Sequence, residues 1–431
     1  MKKVKHRATS VLLIALCCLL GLGLYCTRYV LHGEDWAGFA ANLGLHAGTS
    51  IPGKVYDRNS VELADAGERT YSDNYTTRLA CYHLLGDFHG RTGSGVLTHL
   101  GSGLGGFDLI NGSYQMTTPQ LQLTVDSHLN EVAYAALAGR AGSVMITNYQ
   151  TGELLCLVST PAIDPVNPGD NLPEGVYINR AISATFTPGS VYKIITLAAA
   201  LDNIPGIYDM TFTCTGDTII EGSRLKCSGV HGTQDIKTAF ANSCNCAFAQ
   251  LAQMLGPDTL YEYNEKFGMM ESHSLSGIPT AAGKYELHPE GSVALSWSAI
   301  GQSTDLTCPY SMLRVVSAVA NGGKLIEPRL LQDEKIHTEK LLDENTANTV
   351  RDFMKNNVQR TYGQSSFPGL PMGAKTGTAE VGDGTNHAWF VGFLDDPEHP
   401  YAFTVQVEHG GGGLSVAGSI ANKVLQEAVK S

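Results

Sequence analysis

The first strong hydrophobic feature of the chain is an uncharged, mostly apolar stretch from Ala8 to Cys26, which follows a basic segment, Met1–Arg7. Its 19 residues come close to the roughly 20 that a helix needs to span a bilayer. Positive charge before the stretch and an acidic chain after it predict a cytosolic tail at residues 1–7 and the remainder outside. A cleaved signal peptide is the alternative. No small-x-small cleavage site follows the apolar core, so an uncleaved single-pass anchor over residues 8–26 is favoured.

Residues 33–140 show little regular periodicity and are rich in glycine, with seven glycines between Gly90 and Gly106. Such composition is typical of loops and interaction surfaces, so we predict a small irregular N-terminal domain, of a dimerisation or interaction type, over 33–140. The pattern changes at Ala141, where apolar runs separated by turn signals begin. A second domain is therefore predicted over residues 141–431.

In this second domain, apolar runs at Gly142–Asn148 and Glu153–Ser159 are separated by a turn and predict a β-hairpin. Val191–Leu201 is apolar almost all round, which is typical of a buried central helix. Periodicity predicts further helices at 235–256 (with a break at 243–245), Glu344–Arg360 and Ser415–Lys430, and further strands at Met372–Val381, His387–Leu394 and Tyr401–His409. This order predicts an α+β fold in which helices flank an antiparallel sheet.

Composition narrows the possible functions. The chain has 431 residues, 43% of them apolar, and a formal charge of −12, which argues against nucleic acid as a general partner. Of the ten cysteines, Cys214 and Cys227 flank a polar, turn-rich segment, and a hairpin disulfide between them would suit an exported domain. Cys244 and Cys246 are too close together for a relaxed bridge. The sequence shows no CxxC pair or His/Cys cluster that suggests zinc, so neither a metal nor a cofactor is predicted.

Three short motifs carry candidate chemistry, in the order S-x-x-K, S-x-N and K-T-G. Ser190 and Lys193 lie three positions apart at the start of the predicted buried helix, so their side chains can share one face. A serine becomes a nucleophile only when a base takes its proton, and lysine is a base only when neutral. Burial, together with the charge of Lys375 nearby, should lower the pKa of Lys193. Ser190 is therefore the predicted nucleophile and Lys193 its base.

The other two motifs supply the remaining roles. Ser243 can relay a proton to a leaving amine, and Asn245 can hold Lys193 and a substrate carbonyl. Lys375 and the hydroxyls of Thr376 and Thr378 suit a substrate carboxylate, while Gly377 should leave room for a ligand against the strand. The backbone N–H groups of Ser190, at a helix N-terminus, and Thr378 are expected to form an oxyanion hole.

Two of the motifs also have a purely structural explanation. Ser243 and Asn245 could be helix caps, and K-T-G is common at strand ends. A second S-x-x-K, Ser223–Lys226, lies in a polar hairpin, and a formal S-D-N, Ser72–Asn74, lies upstream in the irregular segment. We interpret both as coincidental. The three ordered motifs together favour catalysis.

With these motifs, the chain resembles class B penicillin-binding proteins, which are membrane-anchored D,D-transpeptidases of the cell wall. Further similar segments are Gly53–Asn59, Thr151–Leu155 running on to Pro161, Gly301-Gln302 before Thr307–Pro309, and His387–Gly392. The resemblance implies a penicillin-binding/transpeptidase domain of the serine beta-lactamase-like fold. It also implies that Ser190 attacks the carbonyl between the last two D-alanines of a peptidoglycan stem peptide, and that beta-lactams trap the same serine.

Other functions share these motifs. A D,D-carboxypeptidase or a beta-lactamase would use water as the acceptor, and a beta-lactam sensor or cell-wall scaffold would show no turnover. The resemblance also implies that the domain at 33–140 docks on a membrane-embedded glycan polymerase.

Overall fold

The computed structural model describes residues 2–37, 53–100, 106–108, 112–114, 120–382 and 384–430. Its first element is a helix over Lys2–Ala37, within which Val4–Gly33 is long and apolar enough to cross a membrane. It is the one helix among the described residues that meets this test. The stretch predicted as an anchor lies inside it, so the structure is consistent with a single-pass anchor at the N-terminus.

The remaining elements are mostly short in the N-terminal part and longer beyond residue 141. After the first helix, α-helices lie at Tyr75–Ala80, Tyr82–Leu85, Val96–His99, Ser127–Leu137, Lys193–Asn203, Ile236–Ala241, Asn245–Lys266, Val293–Ser298, Pro309–Ala320, Glu344–Asn357 and Ser419–Ala428. Strands lie at Lys54–Tyr56, Glu62–Asp65, Thr70–Tyr71, Gly106–Asp108, Gly112–Tyr114, Gln120–Gln122, Gly142–Asn148, Leu154–Thr160, Thr211–Cys214, Asp217–Ile220, Ser223–Lys226, Gly232–Asp235, Ser274–Leu275, Ile278–Pro279, Lys324–Ile326, Thr338–Lys340, Met372–Glu380, Asn386–Leu394 and Tyr401–Val407. Single turns of 3₁₀ or π helix lie at Gly189–Tyr192, Ile207–Asp209, Val358–Tyr362, Gln364–Ser366 and Gly413–Gly418.

A five-stranded antiparallel sheet forms the centre of the molecule. Its order is Met372–Glu380, Asn386–Leu394, Tyr401–Val407, Gly142–Asn148 and Leu154–Thr160. The hairpin and the three late strands expected from alternation are all present in it. Because Met372–Glu380 is the outermost strand, one row of its backbone N–H and C=O groups is left outside the sheet ladder. We call it the edge strand.

Helices cover both faces of this sheet. On one face lie the apolar helix Lys193–Asn203, called here the central helix, and the Asn245–Lys266 and Pro309–Ala320 helices. On the other face lie Ser127–Leu137 and Ser419–Ala428. The expected α+β arrangement is therefore confirmed, and each apolar face is buried against another element.

The N-terminal part contains more regular structure than its composition suggested. Four short strands form a sheet in the order Thr70–Tyr71, Glu62–Asp65, Lys54–Tyr56 and Gln120–Gln122. Its buried side chains, such as Val55 and Leu63, belong to the same apolar core as residues of the second domain. The compositional boundary near residue 141 therefore does not coincide with a gap in packing.

Candidate active site

The three motifs meet in space although they lie far apart in sequence. Lys193 is the first residue of the central helix, Ser243 and Asn245 lie at the turn before the Asn245–Lys266 helix, and Lys375 lies on the edge strand. Lys193 Nζ donates hydrogen bonds to Ser243 O (2.7 Å), Ser243 Oγ (3.2 Å) and Asn245 Oδ1 (2.7 Å). The positions predicted for Lys193, Ser243 and Asn245 thus form one hydrogen-bonded group.

Lys375 joins this group from the opposite side. Its Nζ donates to Ser243 Oγ (3.0 Å) and to the carbonyl of Thr376 (3.0 Å). The Ser243 hydroxyl is therefore contacted by two lysine amines. Its residue has a left-handed backbone, with φ of 51°, which is uncommon for serine and typical of functional turns.

Both lysines are fully buried, and burial disfavours an ammonium charge. Burial lowers the pKa of Lys193 to about 8. Burial also holds the pKa of Lys375 well below its usual value, and the charge of Lys193 lowers it further. The expected repulsion between the two amines is present, and because it is mutual it disfavours charging both of them at once. The two amines therefore give up a proton more readily than exposed lysines do, and they titrate as an interacting pair.

Ser190 lies in the 3₁₀ turn Gly189–Tyr192, immediately before the central helix. It is half-buried and lines a cavity of about 530 Å³ together with Ser243, Asn245, Thr376 and Thr378. Within the described part of the chain, no hydrogen bond joins Ser190 Oγ to Lys193 Nζ. Catalytic hydrogen bonds are often long or misaligned before substrate binds. The missing hydrogen bond between Ser190 and Lys193 therefore agrees with a nucleophile that contacts its base only once substrate is bound.

Gly377 has a different role from the one expected. A Cβ atom there would lie 2.8 Å from Pro188 O and 3.1 Å from Val191 Cγ1. The space predicted for a ligand is thus taken by the turn that carries Ser190. On the other side, a Cβ atom at Gly189, where φ is 58°, would lie 3.0 Å from the carbonyl oxygen of Thr378. The two glycines allow the edge strand to pack directly against the nucleophile turn.

The free side of the edge strand faces the cavity. The N–H of Thr376 donates to Tyr362 Oη (3.1 Å), so it points away from the neighbouring strand. Because N–H groups two residues apart in a strand share a side, the N–H of Thr378 also points to the free edge. Tyr362 also hydrogen bonds to Thr376 Oγ1 (3.3 Å). No sequence signal singled out Tyr362, since it lies in a π-helical turn outside every motif.

The opposite wall of the cavity includes residues of the second S-x-x-K, which we interpreted from the sequence as coincidental. Arg224 and Lys226 line it, and Asn245 Nδ2 donates to the Lys226 carbonyl (2.9 Å). The second S-x-x-K lies on the strand Ser223–Lys226, where positions three apart point to opposite faces. Ser223 and Lys226 therefore cannot act together, although their hairpin borders the cavity.

The early S-D-N has a structural role. Asn74 caps the Tyr75–Ala80 helix, and its side chain accepts hydrogen bonds from the N–H groups of Thr76 and Thr77. Asparagine is a favoured N-cap residue for this reason. The interpretation of this motif as unrelated to catalysis agrees with this position.

The cysteines beside the active site are not paired as their spacing in the sequence suggested. Cys214 and Cys227 are free thiols in the structure, so the hairpin disulfide considered from their spacing is not formed. Instead they lie with His231 and Cys244 in one cluster, whose sulfur and nitrogen atoms are all within 4.8 Å of one another. The absence of a His/Cys cluster inferred from the sequence was therefore wrong, because three separated segments contribute to it: Cys214, the Cys227–His231 connection and Cys244.

The fold and site agree with what known proteins show. A family model described as the penicillin binding protein transpeptidase domain matches residues 142–426. The chain belongs to this family, and the resemblance drawn from the three motifs is confirmed.

Curated relatives carry related names. The chain is 29% identical over 336 residues to "Stage V sporulation protein D" of Bacillus subtilis, covering 71% of this chain and 52% of that protein. It is 31% identical over 316 residues to "Peptidoglycan D,D-transpeptidase PbpA" of Mycolicibacterium smegmatis, covering 64% of each. The chain thus spans between about half and two thirds of the length of these relatives.

Solved structures share the fold. Penicillin-binding protein A of M. tuberculosis, in a ceftriaxone acyl-enzyme complex, matches with a TM-score of 0.71 at 22% identity, covering 88% of this chain and 98% of that one. PBP2 of Pseudomonas aeruginosa matches with a TM-score of 0.73 at 23% identity, covering 88% and 96%. At this identity the likeness concerns the fold, which confirms the predicted transpeptidase architecture.

Proposed function

We propose that this chain is a serine D,D-transpeptidase that crosslinks peptidoglycan stem peptides through an acyl-enzyme on Ser190 and is inhibited covalently by beta-lactams. The observation that carries the proposal is the meeting of Lys193 Nζ and Lys375 Nζ on Ser243 Oγ, in a cavity that Ser190 lines. Relatives named D,D-transpeptidases, and the acyl-enzyme complex of the mycobacterial neighbour, support it.

Acylation begins with proton transfer from the Ser190 hydroxyl to the neutral amine of Lys193. Ser190 Oγ then bonds to the carbonyl carbon between the last two D-alanines. The carbonyl oxygen becomes an oxyanion, which the N–H groups of Ser190 and Thr378 stabilise, since preorganised donors act where charge develops. The edge-strand geometry supports Thr378 in this role.

Collapse of this intermediate breaks the carbon–nitrogen bond. The leaving D-alanine amine takes a proton from Ser243 Oγ, which in turn takes one from Lys193. In the second half-reaction the amine of a neighbouring stem peptide attacks the ester, its proton returns through Lys193, and Ser190 Oγ is released. Asn245 holds Lys193 in place through both halves by the hydrogen bond to its Oδ1.

Recognition of the substrate carboxylate is assigned to Lys375 and the hydroxyls of Thr376 and Thr378. Tyr362 fixes the position of the Thr376 hydroxyl. Gly377 contributes by allowing the strand to approach the nucleophile turn. No cofactor takes part in these steps.

Fluorescent penicillin labelling of the intact chain tests the nucleophile. The wild type should be labelled and Ser190→Ala should not. Ser223→Ala is the matched control, because Ser223 begins the second S-x-x-K but lies on an exposed strand. Mass mapping should place the label on the peptide that contains Ser190. Labelling of Ser190→Ala, or loss of labelling in Ser223→Ala alone, would contradict the proposal.

The lifetime of the acyl-enzyme separates the related reactions. A transpeptidase should hold the penicilloyl group for hours, whereas a beta-lactamase hydrolyses it within milliseconds. Product analysis with a stem pentapeptide and an added amine acceptor should give the crosslinked product. Release of D-alanine without crosslinking would indicate a carboxypeptidase instead, and an unlabelled protein would indicate a scaffold.

The Lys2–Ala37 helix is proposed to anchor the chain in the cell membrane, with the catalytic domain outside the cytoplasm. Protease added to intact spheroplasts should then digest the folded part, while the first residues stay protected. Digestion only after permeabilisation would reverse the orientation.

The N-terminal part is proposed to contact a membrane glycan polymerase. A PBP2–MreC complex from Helicobacter pylori shares the fold, with a TM-score of 0.66 at 22% identity over 74% of this chain. Deleting residues 33–140 is a poor test, because Val55 and Leu63 belong to the shared core. A photocrosslinking residue at exposed Tyr75 should capture the polymerase, whereas one at Ile219 on the distant hairpin should not. Equal capture by both would contradict the proposal.

A further inference from the structure

Four metal-ligating side chains converge beside the catalytic serine and lysines. Cys214 ends one strand of a hairpin pair, Cys227 and His231 lie in the connection between two others, and Cys244 is the middle residue of the S-x-N motif. Their ligand atoms, three Sγ and one imidazole nitrogen, all lie within 4.8 Å of one another. None of them has a role in the mechanism proposed above.

The distances within the cluster fit a tetrahedron around one ion. Cys214 Sγ and Cys227 Sγ each lie 3.5 Å from His231 Nδ1, and Cys227 Sγ lies 3.9 Å from Cys244 Sγ. In tetrahedral zinc sites the Zn–S and Zn–N bonds of about 2.3 Å and 2.0 Å place sulfurs about 3.8 Å apart and sulfur about 3.6 Å from nitrogen. A disulfide needs sulfurs at about 2.05 Å, so the thiols are arranged for a shared ion rather than for pairing.

The surroundings of the cluster favour a structural site. Cys214 and Cys244 are buried, and Cys227 and His231 are half-buried, so little of the site is open to solvent. The N–H of Asn245 donates to Cys227 Sγ at 3.2 Å. Such outer hydrogen bonds orient thiolate ligands and are typical of metal sites.

The segment that the cluster joins has little apolar core of its own. Two separate two-stranded ribbons, Thr211–Cys214 with Gly232–Asp235 and Asp217–Ile220 with Ser223–Lys226, make up residues 211–235. The buried side chains within these strands are Phe212, Cys214, Leu225 and Gln234. Two-stranded ribbons are marginally stable by themselves, and these two pack against the Asn245–Lys266 helix, so a crosslink would add to that packing.

We propose that Cys214, Cys227, His231 and Cys244 bind one structural zinc ion that ties residues 211–235 to the S-x-N turn. Three thiolates and one neutral imidazole form a closed Cys₃His set, which suits zinc. The three thiols lose their protons to solvent on binding. If the proposed function holds, the ion acts on catalysis only by position, because Cys244 lies between Ser243 and Asn245 and Cys227 follows Lys226, whose carbonyl holds Asn245.

The direct test is the metal content of the full-length chain in detergent. After dialysis, inductively coupled plasma mass spectrometry should find about one zinc ion per chain. Cys214→Ser and Cys227→Ser should each lose it, and His231→Cys should keep it because it supplies a fourth thiolate. Cys308→Ala, which removes a buried thiol outside the cluster, is the matched control and should retain full zinc. Zinc-free wild type, or unchanged zinc in both serine variants, would overturn the proposal.

A second measurement does not depend on the variants folding. Cobalt exchanged into the wild type should give the intense visible bands of tetrahedral cobalt bound by thiolates, and zinc should remove them. Alkylation of Cys227 should be slow until a chelator is added. A peptide map without reductant that shows Cys214 bonded to Cys227 would contradict the site.

The outcomes separate this proposal from the proposed function. Zinc-loaded protein that fails to label at Ser190 would refute the transpeptidase and leave the metal site intact. Protein without zinc that labels normally would refute the metal site alone. If both hold, chelation should slow the labelling of Ser190 and raise hydrogen exchange within residues 211–235, with little change in the five-stranded sheet.

Discussion

The two walls of the catalytic cavity are built differently. One, called here the core wall, consists of the central helix, which is buried in one apolar core, and the edge strand, whose Met372 and Ala374 are buried in the core on the other face of the sheet. The other, called here the hairpin wall, consists of residues 211–235, whose strands bury few side chains. The core wall positions Ser190, Lys193 and Lys375 by burial. The hairpin wall buries fewer side chains: Phe212 and Cys214 belong to the same core as the central helix, and a hydrogen bond from Asn245 Nδ2 to the Lys226 carbonyl adds a further contact.

The two walls also differ in how much they contribute to the stability of the fold and to catalysis. The buried amines on the core wall have lowered pKa values because apolar packing surrounds them, so their burial costs some stability but favours the neutral form of Lys193 that acts as base. The hairpin wall can loosen without unfolding the core. Loss of its crosslink should therefore affect activity more than global stability.

Removing the base from the core wall should give the largest effect. Lys193→Met keeps the length and apolar character of the side chain but has no amine. The rate of Ser190 acylation by fluorescent penicillin should fall by about 10²- to 10⁴-fold, which is the usual contribution of a general base. Lys324→Met, at an exposed lysine on a distant strand, should acylate at the wild-type rate. A Lys193→Met rate near wild type would assign the base elsewhere.

Stability should also differ between the walls. Leu197 on the central helix is fully buried, so Leu197→Ala should lower the free energy of unfolding by about 2–5 kcal/mol. Ile219 on the hairpin wall is 72% exposed, and Ile219→Ala should change it by less than about 0.5 kcal/mol. Denaturant unfolding measures both. Similar losses for the two variants would show that the walls do not differ in the way proposed.

The contact between strand and nucleophile turn can be tested at Gly377. Gly377→Ala would place a Cβ atom against Pro188 O, so the edge strand or the Ser190 turn must move. A misplacement of about 1 Å can cost about 10²-fold in rate, and we expect acylation to fall by that order. Gly93→Ala is the control, since a Cβ there meets no atom within 4 Å. Normal acylation of Gly377→Ala would mean that the two elements are not rigidly packed.

The smallest expected effect is the pH dependence. Only the neutral amine of Lys193 accepts the serine proton, and its pKa is lowered to about 8. The neutral fraction therefore rises as pH increases towards that value, so the acylation rate should rise about tenfold between pH 6 and pH 7 and level off above about pH 8. Rapid-mixing measurements over this range would show the profile. A rate independent of pH below 8 would exclude this amine as the titrating base.

Much of this protein follows from local sequence alone. Ser190 and Lys193 share a helical face because of their spacing, and alternation in Met372–Glu380 and Tyr401–Val407 specifies strands whatever their neighbours are. The apolar length of the first helix, the order of the three motifs and the family they resemble are likewise properties of short segments. These predictions needed no knowledge of which elements pack together.

Other features exist only through long-range packing. Gly377 needs no side chain because Pro188, far away in sequence, occupies the space, and Tyr362 holds Thr376 from a turn without a motif. The cluster of Cys214, Cys227, His231 and Cys244 shows this most clearly, since its residues come from three separate segments and only Cys227 and His231 are close in sequence. Side chains distant in sequence meet only after the apolar core has placed their backbones, so the tertiary structure alone determines which of them become neighbours.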